Sequence, residues 1–462
     1  MATKAIPGPV GIAALWALGP MLRDPLGFIT AGVARYGPVL GLGAGPLRAV
    51  LLAGAAANRY ILVEAADNFL VAPFYDRLHA RWLVGEGLVF IDDPAHRQVR
   101  RLLLPAFHRG RIAVYQATMQ TETTALLDGW RPRQPVDLAA AMHHLTLRIM
   151  GRTLFGVDLD SDVSGLSQAV ALLAEALGNQ TQLLFNQVPF DLPGLGKGGS
   201  VRRAQRQIRT TLAAIVADHV RSGADTGDVV SLLVAARDED GGQLTPDQLL
   251  DNLTTLFFAG HETSANALTW AGYLLARHPR AATRLHAELD TVLQGRPPTP
   301  ADLDRLPYLE AVVKETLRLY PPLPVFYRVA RAAFTWQGYT IPAGTFVLYS
   351  PYISHRLADQ FPDPERFRPE RFLPGAAAPP PYAYLPFAVG PRSCIGAPFA
   401  MMEIKTILAG ILQRYELALV PKQRVRPVVR ATLQPQAGLW VRVSARSPGN
   451  TPVAVAPPEP AR

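Results

Sequence analysis

The chain has 462 residues, 49% apolar and only 18% charged, a balance that excludes native disorder and leaves ample material for a large core. Its net charge of +9 comes almost wholly from Arg, with five Lys, and no basic helix interleaved with aromatics accompanies it, which excludes nucleic acid as partner. A single cysteine excludes a disulfide framework and CxxC-type zinc or iron–sulfur sites.

Two apolar runs open the chain. Gly11–Gly19 is followed by Pro20, Arg23 and Asp24, and Ala49–Ala57 is flanked by Arg48 and Asn58. Each falls far short of the roughly 20 residues that span a bilayer. Pro7 and Pro9 crowd the region after Lys4 and no cleavage site follows, so a cytoplasmic protein without membrane anchor is expected. Further on, His96-Arg-Gln-Val-Arg100 puts His96 and Arg100 four apart, on one face of a helix.

Thr245-Pro-Asp-Gln248 is a helix start, with a capping Thr, Pro at the first helical position and Gln to close the box. No proline interrupts the pattern until His278-Pro279. That predicts about 33 residues of helix, roughly 50 Å long, enough to cross a whole domain. A second helix is expected over Leu306–Leu319, stopped by Pro321-Pro322. Strands are predicted at Val325–Val329, Phe334–Trp336 and Tyr339–Ile341, with Pro342-Ala-Gly344 as a turn. Arg356–Phe372 reads as irregular and Pro374–Pro381 as a loop. A last long helix covers Pro398–Tyr415 and a late strand Leu439–Val443. No internal repeat is visible. The expectation is one large, mainly α domain with a small β portion over residues 1–446, then a Pro-rich disordered tail, 447–462.

The lone cysteine lies in Phe387-Ala-Val-Gly390-Pro-Arg392-Ser-Cys394-Ile-Gly396-Ala-Pro398. Gly390 permits a tight turn. Cys394 immediately precedes a helix, whose positive end and free N–H groups favour thiolate. Gly396 allows close approach of something large, and Arg392 can pair with an anion on the same object. A thiolate, a glycine gap and an anion-pairing Arg suit haem b, with Cys394 as axial ligand and Arg392 on a propionate. The pattern FxxGxRxCxG fixes five positions and arises by chance in about one chain of this length in ten thousand.

This loop resembles the haem-ligand signature of the cytochrome P-450 superfamily of haem-thiolate monooxygenases. The resemblance covers about Pro7 to Val443 and implies the cytochrome P-450 fold, with haem between the long central helix and the helix after Cys394. Ala259-Gly260-His261-Glu262-Thr263 is similar to the family's oxygen-activation motif. Small Ala259 and Gly260 leave room for cofactor or O₂. Thr263 bonds back to the preceding turn and bends the helix. By the resemblance, Thr263 donates to oxygen and Glu262 relays protons, while His261 falls at a variable position. Glu315-Thr-Leu-Arg318 matches the family's ExxR, whose Glu and Arg form a buried triad with a PERF arginine. Pro369–Phe372 and Pro364–Phe367 both spell PERF, and spacing to Cys394 favours Arg371. The resemblance also assigns His96, Arg100 and Arg328 to the propionates, and Phe387 to the haem loop.

The implied reaction takes O₂, two protons and two NAD(P)H-derived electrons and inserts one oxygen into substrate. No flavin or nicotinamide module is visible, so the expected electron source is an external acidic ferredoxin or flavodoxin. Between Asp93 and Glu122 there is no acid, yet Arg97, Arg100, Arg101, Arg109 and Arg111 occur there, which suggests a basic dock. By position, the substrate pocket draws on Phe74–Phe90 (with Phe74 and Phe90 themselves), Leu183–Phe190, Phe257 and Phe258, Val325 and Phe326, and Gln434. Of the charged residues in this set, Asp76 and Arg81 are the candidate anchors. An apolar lining suits a terpenoid, then a fatty acid, then a steroid. A monomer is expected. Two alternatives are a same-fold peroxygenase or rearranging haem enzyme, opposed by the Glu262-Thr263 pair, and a haem sensor, opposed by the lack of an output module.

Overall fold

The structure is a computed structural model. It describes residues 4–446, except 12, 46–47, 78–80, 159–167, 170–171, 174, 177–189, 193–195, 224 and 238–240. The expected tail, 447–462, lies outside the described residues.

Helices α1 (Ala13–Arg23) and α2 (Pro25–Tyr36) lead into β1 (Val39–Leu42), β2 (Ala49–Leu52), α3 (Ala55–Arg59), β3 (Phe69–Leu70) and α4 (Ala72–Arg77). A helical body follows: α5 (Ala95–Leu103), α6 (Arg109–Asp128), β4 (Pro135–Asp137), α7 (Leu138–Leu154), α8 (Gly198–Ser222), α9 (Pro246–Arg277), α10 (Pro279–Leu293) and α11 (Pro307–Leu319). Then come β5 (Phe326–Ala330), β6 (Phe334–Trp336), β7 (Tyr339–Ile341), β8 (Phe346–Tyr349), α12 (Ala397–Arg414), β9 (Tyr415–Leu419), β10 (Pro427–Val429), β11 (Leu433–Pro435) and β12 (Trp440–Ala445).

The long helix α9 is the axis of the molecule. Gln248 N donates to the Thr245 hydroxyl at 3.2 Å, and Thr245 N donates to the Gln248 side chain at 3.0 Å, so the capping box read from sequence closes. Most of α9 is buried. Its Trp270 has no exposed surface, stacks on Tyr320 at 4.0 Å between ring centroids, and donates its indole N–H to Leu433 O. Satisfying that N–H is what lets so large a side chain sit in the core.

The main sheet runs β1-β2-β8-β5-β3. Only β2 and β8 pair in parallel; the other neighbours are antiparallel. Val347 and Tyr349 of β8 join Val50 and Leu52 on one face, while Phe346 and Leu348 join Leu51 and Val329 on the other. Both faces are therefore covered, and β2 and β8 carry unbroken apolar runs. This is where the Ala49–Ala57 run goes: into β2 and the start of α3. A smaller sheet, β9-β12-β4, and three two-stranded pairs, β6-β7, β10-β11 and Asp191–Leu192 with Gly196–Lys197, complete a mainly helical architecture with a small β portion.

Candidate active site

The cysteine loop is built on backbone that few residues can adopt. Gly390 has φ +75°, and a Cβ there would lie 2.1 Å from the Leu62 carbonyl oxygen, so glycine is required twice over. The Cys394 amide donates to Phe387 O at 2.9 Å and closes the loop. Helix α12 then begins at Ala397. The sulfur is accessible, yet burial of its surroundings dominates and pushes the Cys394 thiol above its ordinary pKa. The Gly396 N–H, the Arg100 guanidinium and the Ala397 N–H pull the other way. The helix terminus thus acts with the expected sign, but it is outweighed.

Several basic groups gather beside the loop. Arg100, on α5, donates to Ser393 O at 2.7 Å and to its hydroxyl at 3.1 Å, so it turns inward and leaves the expected outer basic surface. His96, one turn earlier, is buried, and that burial, reinforced by nearby Arg392, pushes its pKa down to about 4. It is a neutral hydrogen-bonding group at pH 7. Arg328 of β5 is buried, donates to Tyr327 O and lies over the Tyr349 ring. Among the described residues, no carboxylate pairs with it. Arg392 is paired with Asp92 at 2.7 Å and also donates to Ile91 O. Asp92 in turn accepts from the amides of Val71 and Ala72. Sequence alone offered no signal for that partner. A cleft of about 750 Å³ opens here, lined by Asp92, His96, Arg328, Arg331 and Arg392 and reaching the thiol loop at Pro391.

On α9, Ala259 is exposed and Thr263, one turn later, is half-buried. They form the accessible face of an otherwise buried stretch. The Thr263 hydroxyl donates to Ala259 O at 2.7 Å, the back-bond expected from sequence. A Cβ at Gly260 would lie 2.2 Å from Cε of Met150, the far end of a flexible side chain on α7. His261 also faces α7, where Thr146 donates to its carbonyl. Glu262 is buried and accepts from the Thr432 hydroxyl at 2.7 Å. Burial pushes its pKa up, while Thr432 and Arg430 oppose the shift.

Behind the loop lies a buried ion cluster. Glu315 and Arg318 of α11 have no exposed surface and bond through both oxygens, at 2.7 and 2.8 Å. Arg371 reaches the Glu315 carboxylate at 3.3 Å, and the Arg368 amide donates to it at 2.8 Å. Arg366, from the other PERF copy, supplies only its carbonyl, which accepts from Arg318. Arg318 also donates to the carbonyls of His355 and Pro364. The buried charges are thereby all satisfied.

The expected substrate lining is only partly brought together. Phe257 is fully buried against Phe155 and His261, so it belongs to the core. Phe74 stacks on Tyr327 at 4.6 Å, while Phe326 stacks on Tyr349. Alternate residues of a strand face opposite ways, so Phe74 and Phe326 lie on opposite faces of β5. Phe90 packs edge-on against Tyr75. Phe258, Val325 and Gln434 are half-buried. Asp76 and Arg81 pair with each other at 2.6 Å. The segment 183–189 lies outside the described residues.

The Cytochrome P450 family model matches residues 9–441. Cyclooctat-9-en-7-ol 5-monooxygenase of Streptomyces melanosporofaciens is 35% identical over 91% of this chain and 90% of its own length. Pentalenene oxygenase of Streptomyces avermitilis is 33% identical over 93% of this chain and 95% of its own. Among solved structures, a cyanobacterial CYP120A1 with retinoic acid bound superposes with a TM-score of 0.86 at 27% identity, covering 96% of this chain and all of that one. The chain belongs to the cytochrome P450 family and is a cytochrome P450 monooxygenase. Among the described residues, no helix is long and apolar enough to cross a membrane.

Family membership implies a haem with a cysteine thiolate ligand, and the residues present fit one. Cys394 is the one cysteine of the chain and is accessible. Arg328 is a buried cation without a carboxylate partner among the described residues, an arrangement that costs stability unless an anion is supplied. A haem propionate would supply that anion.

Proposed function

We propose that the protein inserts one oxygen atom from O₂ into a cyclic terpenoid, with electrons delivered by an acidic ferredoxin or flavodoxin in the cytoplasm. The observation that carries the substrate class is the pair of relatives named for cyclooctat-9-en-7-ol and pentalenene, each aligned over about nine-tenths of the chain. The half-buried apolar groups Phe258, Val325 and Phe326 support a hydrophobic ligand. Retinoic acid, the ligand bound to the cyanobacterial protein, is also an isoprenoid.

Bound haem supplies O₂ binding and O–O cleavage, promoted by electron density from the thiolate. The chain's own residues do the rest. Cys394 would hold the iron, with the amides of Gly396 and Ala397 tempering the charge on sulfur. Arg100, Arg328 and neutral His96 would hold the carboxylate edge, while Arg392 keeps the loop registered on Asp92. Thr263 holds a proton on the accessible face of α9, and Glu262 holds one on the buried face, against the Thr432 hydroxyl. The Thr263 proton is engaged by Ala259 O, so its oxygen lone pairs face outward until the hydroxyl turns. Glu315, Arg318 and Arg371 keep the segments around the loop in place and do not touch substrate.

Electron entry is assigned to the basic stretch near Arg97, Arg101, Arg109 and Arg111. Arg111 is exposed and paired with Asp225 at 3.1 Å, and Arg97 is exposed and paired with Asp93 at 3.2 Å. Reversing the charge of Arg109 and Arg111 should lower the electron-transfer rate and flatten its salt dependence. An unchanged rate removes this dock.

The test is turnover by the haem-loaded protein with NADPH, a ferredoxin and its reductase. Pentalenene, cyclooctat-9-en-7-ol, a long-chain fatty acid and a steroid are offered separately. A product one oxygen heavier from a terpenoid alone is expected. Product from the fatty acid or steroid alone overturns the substrate class. Equal turnover with peroxide and no reductase favours the peroxygenase alternative.

A further inference from the structure

Three residues of α9 spaced four apart, Glu262, Asn266 and Trp270, lie on one face of the helix, and each is buried. All three grip the tip of the β10–β11 hairpin. Trp270 donates its indole N–H to Leu433 O at 2.9 Å. Asn266 donates its side-chain amide to the Thr432 hydroxyl at 2.8 Å, and Thr432 donates its own proton to Glu262 Oε1 at 2.7 Å. The rotor of Thr432 is thereby fixed. One of its lone pairs accepts from Asn266, and its single proton goes to the carboxylate, which can only accept when charged. Thr432 itself is 3% exposed, and no solvent competes for that bond.

We propose that Thr432, held by Asn266, is the positioning residue for Glu262: it fixes where the carboxylate sits and sets its affinity for a proton. This rests on the reading of Glu262 as a proton-holding group. The physical argument is an asymmetry. A hydroxyl that donates to a carboxylate stabilises the charged form, and charge-assisted hydrogen bonds are about twice as strong as neutral ones. Burial alone drives Glu262 toward its neutral form. Thr432 is the nearest group that holds it in check. Arg430, at the same hairpin tip, adds a favourable positive charge. From α7, His143 adjoins Asn266 and is itself driven toward neutrality by burial. Buried His261, next along α9, is likewise held neutral. None of these other groups donates a hydrogen bond to the carboxylate, so the hydroxyl is the element to remove. The same hairpin carries Gln434, two residues on, so a ligand that moved this tip would also move Glu262.

The test uses haem-loaded protein and pH-difference infrared spectroscopy, with the Glu262 carboxyl band identified by its loss in E262Q. Thr432→Val keeps the shape and removes the hydroxyl. Its Glu262 band should move to higher frequency, and the titration midpoint should rise by about one pH unit or more, tenfold in proton affinity. Thr432→Ser, which keeps the hydroxyl, should titrate as wild type. Thr432→Ala provides a second hydroxyl-free variant should the Val variant fail to load haem. A wild-type midpoint in the hydroxyl-free variants, an equal shift in Thr432→Ser, or no band sensitive to E262Q overturns the proposal. The underlying reading fails separately: if E262Q turns over NADPH with unchanged product yield, Glu262 is not a proton-delivering group even where Thr432 controls its titration.

Discussion

Replacing Glu403 by Gln should stabilise the protein, and more strongly as pH rises. Glu403 lies on α12, the helix that follows Cys394, with no exposed surface. Neither carboxylate oxygen has a well-formed hydrogen bond, the Ser264 side chain making only a weak one. Burial raises its pKa from 4.5 to about 8, with only Ser264 of α9 pulling downward. In the unfolded chain the group loses its proton near 4.5, and in the folded chain near 8. Between those values the folded protein holds a proton that the unfolded chain has released, so stability falls as pH rises. The slope is about 1.4 kcal/mol per pH unit. The loss therefore reaches about 3 kcal/mol at pH 7 and about 5 kcal/mol above pH 8. Against a typical total of about 5–15 kcal/mol, this is large. Glutamine keeps the volume and cannot ionise, so it escapes the loss. The assay is urea unfolding of wild type and E403Q from pH 4.5 to 8.5. The two should converge at the acid end and diverge steadily above it. A difference that stays constant with pH, or a less stable E403Q at pH 8, refutes the reasoning.

Arg318→Lys should lower stability by about 3–5 kcal/mol, because a lysine cannot serve Glu315 bidentately and also reach three carbonyls; an unchanged urea midpoint contradicts the assignment of the cluster to fold integrity. Gly390→Ala should cut haem loading sharply, since φ +75° and the Leu62 carbonyl at 2.1 Å leave no room for a Cβ. Positive φ alone costs about 1–3 kcal/mol, and wild-type haem content in that variant would show that the loop has another conformation.

The long helix was legible because its ends are written locally. Thr245 and Gln248 close a box, and His278-Pro279 stops the run, so α9 spans Pro246–Arg277 as the spacing predicts. The strands β6 and β7 fall on the residues expected, since their turn is also local. By contrast β8, Phe346–Tyr349, shows no alternation, because both of its faces are buried. The site was legible in its residue types more than in their directions. Gly260 marks close approach, but sequence does not say from which side, and Met150 of α7 turned out to be the neighbour. Phe257 was assigned to the pocket by position and points instead into the core. Arg392 advertised an anion, yet its partner Asp92 sits some three hundred residues earlier. Thr432 was missed for the same reason: a lone threonine in a hairpin turn carries no pattern, and its role exists only once α9 lies against it.

The central claim is that Cys394 is the thiolate ligand of a haem. The most direct test is the optical difference spectrum of the dithionite-reduced protein with and without carbon monoxide, for wild type and Cys394→Ser. A strongly red-shifted Soret band in wild type, lost in the variant while its fold is retained, is the predicted result. A conventional haem–CO band in wild type, or no haem band from protein expressed with haem available, contradicts the account.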